Sequence, residues 1–375
     1  MGAVVFSTCR KKNLLAHYKD SNMFSITPNS TNYYVNGLGK WKEEEEEKTL
    51  VFISSSESHI YALDAIDGEE IWKSKPDGGV SSHMLIRNGN LYVGSRNGSL
   101  YALDAKYGNE LRRYQVGSDT SLSRICTPPV FYDSKIYVIN YDGLLQAFDE
   151  RFRSIYWTYK TDWQKQGGDS IVSVDNYIIG TDYNYLYSLD GKTGQKCWRN
   201  SFPGPIKGIT AIDGIIFLYS VGDYYCVDAR TGKINWITKD KISFKCSPAI
   251  ANGMAYISTR LPGKCLYAID IRNGKVLWSS LKIKNGINAT RPTVTDKIVY
   301  FSSLGIIYAL NAKTGELIWE IEMKDIVTGT AAAAKGKLYV CTRERCLYAL
   351  DAGNGKELWK FQTEDVVYCS PIVAD

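Results

Sequence analysis

The sequence predicts an all-β chain that folds as an eight-bladed β-propeller, a ring of four-stranded antiparallel sheets closed by the C-terminal strand. Three observations lead to this prediction: an internal repeat of about 41 residues, strands that are apolar on both faces, and a final strand without a sheet of its own. The composition agrees, because 27 Tyr and 9 Trp among 375 residues is a high aromatic content, and aromatic residues favour strands.

The repeat is marked by an Asp or Asn, followed in most units by Gly four residues later and by Trp eight residues later. Successive markers are separated by 40, 45, 41, 38, 42, 41 and 40 residues, so one frame holds along the chain. Eight registrations at nearly constant spacing predict eight copies of one supersecondary unit. The markers are Asp64, Asp104, Asp149, Asp190, Asp228, Asp270, Asn311 and Asp351.

Each unit is interpreted as four short strands joined by tight turns. In the unit at 247–278, the turn Asn252-Gly253 separates the first two apolar runs, the third run ends at Asp270 and the fourth at Trp278. Asn-Gly is typical of a two-residue hairpin, because both turn residues need positive φ. The marker Asp precedes a Thr-Gly or Asn-Gly turn in most units, where its carboxylate can accept bonds from downstream amides and Gly supplies the left-handed residue.

The strands lack the polar alternation of a half-exposed sheet. Leu100-Tyr101-Ala102-Leu103, for example, has no polar position. Sheets that stack face to face around an axis are covered on both sides, whereas a β-sandwich would show polar residues at its outward positions. The pattern therefore favours the propeller over the sandwich.

The domain boundary and the ring closure follow from the same frame. Residues 49–375 number 327, which is eight units of about 41, and residues 1–48 remain outside as an N-terminal extension. The stretch 367–374 has the character of an innermost strand, so we expect it to join blade one and to pair with residues 49–54. The acidic run 43–47 in the extension is typical of a solvated linker.

Charge and hydropathy argue against two classes of function. The net charge is +5 without a Lys/Arg stripe, so nucleic-acid binding is not expected, and the lack of an 18-residue apolar run predicts no transmembrane segment.

The nine cysteines show no metal-binding or redox spacing, and those locked to the repeat are interpreted as small buried side chains, which favours a reducing, cytoplasmic compartment. A true start further upstream would instead place the chain in the cell envelope or outside the cell. We expect a monomer.

The motif Ala-x-Asp-x-x-x-Gly-x-x-x-Trp, first met at 62–72, resembles the quinoprotein-type, or pyrroloquinoline-quinone (PQQ)-like, propeller repeat. The resemblance covers residues 49–375 and implies that each Trp packs as a docking wedge between neighbouring blades. The wedge residues would be Trp72, Trp157, Trp198, Trp236, Trp278, Trp319 and Trp359. The second unit departs from the pattern with Arg112 for Trp, the third with Arg153 for Gly, and the seventh with Asn311 for Asp.

The family that the chain resembles has two very different functional groups. Quinone-dependent alcohol and sugar dehydrogenases bind PQQ and Ca²⁺ in the central funnel beside a catalytic Asp. Non-enzymatic members include the scaffold lipoprotein of the bacterial outer-membrane β-barrel assembly machinery, and related propellers serve as sensor domains. Because the units are short and no Cys-Cys pair or haem motif is present, we expect no cofactor; if PQQ and Ca²⁺ bind, the candidate carboxylates are Asp142, Asp169 and Asp182. The three histidines, none in a triad or metal-binding pattern, are His17, His59 and His83.

The sequence therefore favours a non-catalytic binding scaffold that presents loops and a central channel to a protein or peptide partner. The alternatives are a PQQ-dependent dehydrogenase with a minimal site and a sensor propeller of a signalling system. Basic residues near the predicted axis and loops indicate a rim that could bind acidic peptides or anionic groups. The candidate rim residues are Arg124, Lys207, Lys245, Arg291 and Arg343, with Arg96, Arg260 and Arg345 on neighbouring loops.

Overall fold

The computed structural model describes residues 48–375 apart from short internal segments, and its regular structure there is entirely β. Thirty-two strands form eight four-stranded antiparallel sheets. The predicted eight-bladed propeller is therefore confirmed. The segments outside the description are 56–58, 81–83, 118–123, 126, 162–169, 239–246, 260–265 and 281–288.

The blades share one strand order, and the first strands of neighbouring blades contact one another around the axis. Blade 1 contains β32 (Ile372–Ala374), β1 (Leu50–Ser54), β2 (Ile60–Asp64) and β3 (Glu70–Ser74). Blade 2 contains β4 (Leu85–Arg87), β5 (Asn90–Gly94), β6 (Ser99–Asp104) and β7 (Glu110–Gln115). Blade 3 contains β8 (Val130–Tyr132), β9 (Lys135–Ile139), β10 (Leu144–Asp149) and β11 (Ile155–Lys160). Blade 4 contains β12 (Ile171–Val174), β13 (Tyr177–Asp182), β14 (Tyr185–Asp190) and β15 (Lys196–Ser201).

The second half of the ring repeats this arrangement. Blade 5 contains β16 (Ile206–Ile212), β17 (Ile215–Ser220), β18 (Asp223–Asp228) and β19 (Ile234–Ile237). Blade 6 contains β20 (Ala249–Ala251), β21 (Met254–Ser258), β22 (Leu266–Asp270) and β23 (Val276–Ser279). Blade 7 contains β24 (Thr293–Val294), β25 (Ile298–Ser303), β26 (Ile306–Asn311) and β27 (Leu317–Glu322). Blade 8 contains β28 (Ala332–Ala334), β29 (Lys337–Thr342), β30 (Cys346–Asp351) and β31 (Glu357–Gln362).

The C-terminal strand closes the ring. In blade 1, β1 pairs with β2 on one side and with β32 on the other, and the register places Leu50 opposite Ala374 and Phe52 opposite Ile372. The predicted closure is therefore confirmed. Pairing of the two ends removes the open sheet edges that an unclosed arc would expose.

Burial explains why the strands lack polar alternation. All five residues of β1 and of β2 are buried, whereas β31 in the outermost position exposes four of its six residues. The middle strands are sandwiched between neighbouring blades, so both of their faces contribute to the hydrophobic core. The largest fully buried side chains are mostly tyrosines, whose hydroxyls reach hydrogen-bond acceptors at the blade edges.

Neighbouring blades meet through an indole that lies on a glycine. The indole N–H of Trp72 in blade 1 donates to the carbonyl oxygen of Ala105 in blade 2 over 2.9 Å. A Cβ on Gly108 would approach the Trp72 ring to 2.5 Å, and the φ of Gly108 is +74°, so glycine is required there twice over. The same donation to the next blade is made by Trp157, Trp198, Trp236, Trp278, Trp319 and Trp359.

The interface between blades 2 and 3 departs from this arrangement. Arg112 stands where a tryptophan would lie, and the left-handed residue of the facing turn is Phe152, with φ of 55°, one position before Arg153. The Phe152 ring packs at 6.0 Å from the ring of Tyr92, whose hydroxyl donates to the carbonyl oxygen of Glu150 over 3.4 Å. The two sequence departures therefore fall in one interface, and an aromatic residue from blade 3 replaces the missing indole.

The antiparallel order gives the ring two different faces. Hairpins between second and third strands lie at one end of the disc together with the blade-to-blade connections; we call this end the hairpin face. Turns between first and second strands and between third and fourth strands lie at the other end, the turn face. Lys48 precedes β1 at the turn face, and residues 1–47 of the predicted extension lie outside the described residues. Within the described part of the chain, no helix is long and apolar enough to cross a membrane.

Candidate functional site: the hairpin face

Three tight hairpins on the hairpin face carry a large hydrophobic residue in the left-handed conformation. Tyr183, Val221 and Leu304 have φ of 51°, 43° and 49°. Their exposed fractions are 47%, 61% and 40%. A bulky or β-branched residue at positive φ is a rare and strained choice that costs on the order of 1–3 kcal/mol. Folding therefore does not explain these side chains, because each is both strained and exposed.

The turn face meets the same backbone demand with ordinary turn residues. Between first and second strands, positive φ is adopted by polar or charged residues. Asn and Asp tolerate this conformation because their short polar side chains bond to nearby backbone groups. The residues are Asn88, Asp133, Ser134, Asp175, Asp213, Asn252 and Lys335. These turns and the three hairpins therefore differ in residue type and not in backbone geometry; Phe152 on the turn face and Arg345 on the hairpin face are the exceptions among the described residues.

Two more exposed hydrophobic residues extend this set. Ile326 lies in the connection from blade 7 to blade 8, and Tyr368 lies in the connection from blade 8 to blade 1. Both connections run along the hairpin face. The face therefore presents apolar side chains from blades 4, 5 and 7 and from the two connections that lead back to blade 1.

Basic side chains lie among these hydrophobic residues. The Arg124 guanidinium stacks 4.0 Å from the centre of the Tyr141 ring, a cation–π contact. Lys207 is exposed near the axis, where β16 bulges. Arg343 is exposed in the hairpin between β29 and β30. Of the other predicted rim and loop residues, Arg96 and Arg345 are exposed, and Lys245 and Arg260 lie outside the described residues.

Arg291 does not fit the expected exposed rim. Arg291 is only 6% exposed. Its guanidinium donates to the carbonyl oxygen of Pro248 over 2.7 Å and to the hydroxyl of Thr210 over 3.3 Å. These partners belong to blades 5 and 6, whereas Arg291 precedes the first strand of blade 7. The side chain is drawn inward because a buried carbonyl and hydroxyl accept its hydrogen bonds, so it links three blades near the axis.

The carboxylates considered for Ca²⁺ and a quinone are engaged within their own blades. Asp142 contacts the ammonium of Lys160, and Asp182 lies 3.6 Å from the guanidinium of Arg199. Asp169 lies outside the described residues. A Ca²⁺ site needs six to eight oxygen ligands around one point, and the described carboxylates of this set do not provide them. Within the part of the chain that the structure describes, Asp142 and Asp182 are not brought together as ligands of one ion.

The described cysteines are also poor candidates for nucleophilic chemistry. Burial raises the pKa of the thiols of Cys197, Cys341, Cys346 and Cys369, and it raises the pKa of Cys226 to about 12. A thiol must be deprotonated to act as a nucleophile, so the raised pKa values disfavour the reactive thiolate form of these cysteines. His17 and His83 lie outside the described residues, and His59 lies at the junction of blades 8 and 1.

Comparison with known proteins gives consistent matches over most of the propeller. A family profile described as outer membrane protein assembly factor BamB matches residues 56–208, 182–325 and 303–375. The BamB of Moranella endobia is 24% identical over 302 residues, which is 72% of this chain and 75% of that protein. The crystal structure of BamB from Moraxella catarrhalis superposes with a TM-score of 0.63 at 18% identity, covering 78% of this chain and 90% of that one. An enzyme also matches: quinohemoprotein alcohol dehydrogenase ADH IIB of Pseudomonas putida is 25% identical over 294 residues, 61% of this chain but 41% of that protein.

Proposed function

Because the chain belongs to the family of outer membrane protein assembly factor BamB, we propose that it is a non-catalytic scaffold whose hairpin face binds a protein partner. The names of its relatives suggest the class of partner, a protein component of an outer-membrane assembly machinery. We expect this partner to bind the hairpin face and to leave the turn face free.

The observation that carries the proposal is the strained, exposed set of Tyr183, Val221 and Leu304. Backbone strain persists at functional sites because the side chain at that position is needed for something other than folding. Hydrophobic side chains held on two-residue hairpins are also rigid, so little conformational entropy is lost when a partner covers them. These are the properties expected of the anchors of an interface.

The charges around these anchors define the chemistry of the partner. Arg124, Lys207 and Arg343 are exposed on the same face, so the apolar residues lie among cationic groups. Protein interfaces commonly have an apolar centre and a polar rim, and a basic rim favours partners with acidic residues beside a hydrophobic segment. We therefore expect association to weaken as salt concentration rises.

Site-specific photo-crosslinking tests which face is used. A photo-reactive amino acid at Val221 or Leu304 is expected to capture the same membrane-associated protein in the source organism, because both positions lie on the proposed interface. The matched controls are Ile66 and Tyr107, which are exposed hydrophobic residues on the turn face. Equal capture from both faces, or capture from the turn face alone, would contradict the proposal.

Substitution of the anchors separates binding from folding. Val221→Asn and Leu304→Asn place a residue suited to positive φ on each hairpin, so each is expected to raise stability by about 1 kcal/mol while capture is lost. Ile66→Asn serves as the control, since it removes an exposed hydrophobic side chain from the turn face. In the double variant the photo-reactive amino acid is placed at Ile326, which is exposed on the same face. Retention of full capture there, measured with equal amounts of folded protein, would reject the hairpin face as the binding surface.

The catalytic alternative has a direct test. Purified protein supplied with PQQ and Ca²⁺ is expected to show no dye-linked oxidation of alcohols or sugars, because Asp142 and Asp182 are each paired with a cationic side chain of their own blade. Turnover that depends on both additions would overturn the non-catalytic assignment.

A further inference from the structure

Three metal-ligating side chains converge where blade 8 meets blade 1. His59 lies directly before β2 in blade 1, and Glu364 and Asp365 lie in the connection that leads from β31 of blade 8 to β32 of blade 1. Within the described residues, this is the group of histidine, cysteine and acidic side chains whose donor atoms lie within 4.8 Å of one another. The group is made entirely across the junction that closes the ring.

The distances suit a shared ion better than a hydrogen bond. Nδ1 of His59 lies 3.8 Å from Oε2 of Glu364 and 3.8 Å from Oδ2 of Asp365. A nitrogen–oxygen hydrogen bond is usually about 2.7–3.2 Å long and 3.8 Å is well beyond that range, so neither carboxylate accepts one from the imidazole. Two ligands that each lie about 2.1 Å from one tetrahedral ion are separated by about 3.4 Å, which small side-chain movements would produce here.

The imidazole nitrogen that faces the carboxylates is itself buried. Nδ1 of His59 is shielded from solvent without a hydrogen-bond partner, although the side chain as a whole is 15% exposed. A buried polar atom without a partner is uncommon, and ligation of an ion by that atom is one of the ordinary explanations.

Neighbouring groups hold the two carboxylates in place. The ammonium of Lys73 pairs with Oε1 of Glu364, which leaves Oε2 directed towards His59. The Thr363 hydroxyl lies 2.6 Å from the carbonyl oxygen of Asp365 and steadies the connection. Such outer contacts orient ligands before an ion binds.

We propose that His59, Glu364 and Asp365 form a Zn²⁺ site that fastens the blade 8 to blade 1 connection onto blade 1. One imidazole and two carboxylates are accepted ligands of Zn²⁺, and a fourth position is left for water. Ca²⁺ and Mg²⁺ are expected to bind poorly, because they prefer oxygen ligands and larger or octahedral ligand sets. Since the ion would join the connection before β32 to the hairpin after β1, its binding would stabilise the closed ring. The site lies on the hairpin face, in the connection that also carries Tyr368, but metal binding is measured on the isolated chain and does not depend on the proposed partner.

The experiment uses the full chain, stripped of metal with EDTA and freed of any purification tag. Titration with Zn²⁺ in a calorimeter is expected to show one site per chain, and Zn²⁺ is expected to raise the melting temperature. His59→Gln and Asp365→Asn are expected to weaken binding by at least about 100-fold and to remove the thermal shift. Cys197→Ser and His83→Gln are the matched controls and are expected to bind like the parent.

A spectroscopic readout keeps the test decisive if a variant is less stable. Co²⁺ bound in place of Zn²⁺ is expected to give visible absorption of a nitrogen and oxygen site without a thiolate charge-transfer band. The thiolate band would assign the ion to cysteines and overturn the proposal. Absence of Zn²⁺ binding by the parent chain, or unchanged binding by both ligand variants, would overturn it equally.

Discussion

The interface that closes the ring and the interface between blades 2 and 3 differ most in the contacts made at the tryptophan and glycine positions. At the closing interface, the Trp359 indole and the Tyr339 hydroxyl donate to the same carbonyl oxygen of Ala65, over 3.3 Å and 3.2 Å. The Lys337 ammonium donates to it as well, over 2.6 Å, and the Trp359 ring lies on Gly68. Between blades 2 and 3, by contrast, both the indole and the glycine are missing.

The difference shows that the indole and the glycine act as one unit. Glycine is needed only where a neighbouring indole lies on it, so once Arg112 replaces the tryptophan, the facing turn is free to carry Phe152 and Arg153 instead. The loss is tolerated between blades 2 and 3 because a closed ring holds them together from both sides. At the closing interface the only backbone link runs through β32, and there the full set of contacts is kept.

The largest expected effect comes from breaking the closure itself. Deletion of residues 366–375 removes β32 and the Cys369 thiol, which bonds the backbone of Ser54. The free energy of unfolding is expected to fall by about 5 kcal/mol or more, because blades 1 and 8 both lose their partner. Thermal and urea denaturation measure this. Deletion of residues 1–40 is the control and is expected to cost little; equal melting temperatures for the two truncations would contradict the closure.

The second largest effect is expected from removal of a tryptophan side chain, which should lower stability more at the closing interface than removal of Arg112 does between blades 2 and 3. Trp359→Ala is expected to lower the free energy of unfolding by about 3–5 kcal/mol, since it leaves a cavity beside Gly68 and removes one of the three donors to the Ala65 carbonyl. Arg112→Ala, at the equivalent position of blade 2, is expected to cost less than about 1 kcal/mol. Urea denaturation of both variants checks the difference, and similar losses would show that Arg112 acts as a wedge.

Addition of a single methyl group tests how closely the indole approaches the glycine. Gly68→Ala places a Cβ 2.5 Å from the Trp359 ring at φ of +82°, and is expected to cost about 2–4 kcal/mol. Gly253→Ala also has positive φ but meets no atom within 4 Å, so about 1 kcal/mol is expected from conformation alone. In the Trp359→Ala background the cost of Gly68→Ala should fall towards that of the control. A cost that stays unchanged there would mean that the indole is not its cause.

The smallest effect is expected from restoring the missing pair of tryptophan and glycine between blades 2 and 3. Arg112→Trp alone is expected to change stability by less than about 1 kcal/mol, because Phe152 already packs in that interface. Replacement of residues 150–153 by Ala-Lys-Thr-Gly, the turn at 312–315, should make the same substitution favourable. A double-mutant cycle is expected to show a coupling of about 0.5–3 kcal/mol. Additive effects would argue against the paired loss of indole and glycine.

The candidate site was less accessible to sequence reasoning than the fold. Val221 and Leu304 each precede a Gly, in the frame where Asn-Gly marks a hairpin, but a hydrophobic residue before Gly is not a turn signal, so the sequence pattern does not predict these tips. Arg291 was assigned to an exposed rim because position along the repeat says nothing about whether a buried carbonyl accepts its hydrogen bonds. His59 and Glu364 are separated by most of the chain, so no local spacing links them.

The sequence by itself determined the number of blades, the four-stranded unit and the closure by the C-terminal strand. These features follow from short-range chemistry repeated at a constant interval: apolar runs, turns that need positive φ, and a Gly that receives an indole. Only the tertiary structure decided which side chains share a face, which charges are buried and which potential metal ligands lie together where blade 8 meets blade 1. That outcome depends on the radial placement of residues far apart in the chain, and the periodic pattern carries no information about it.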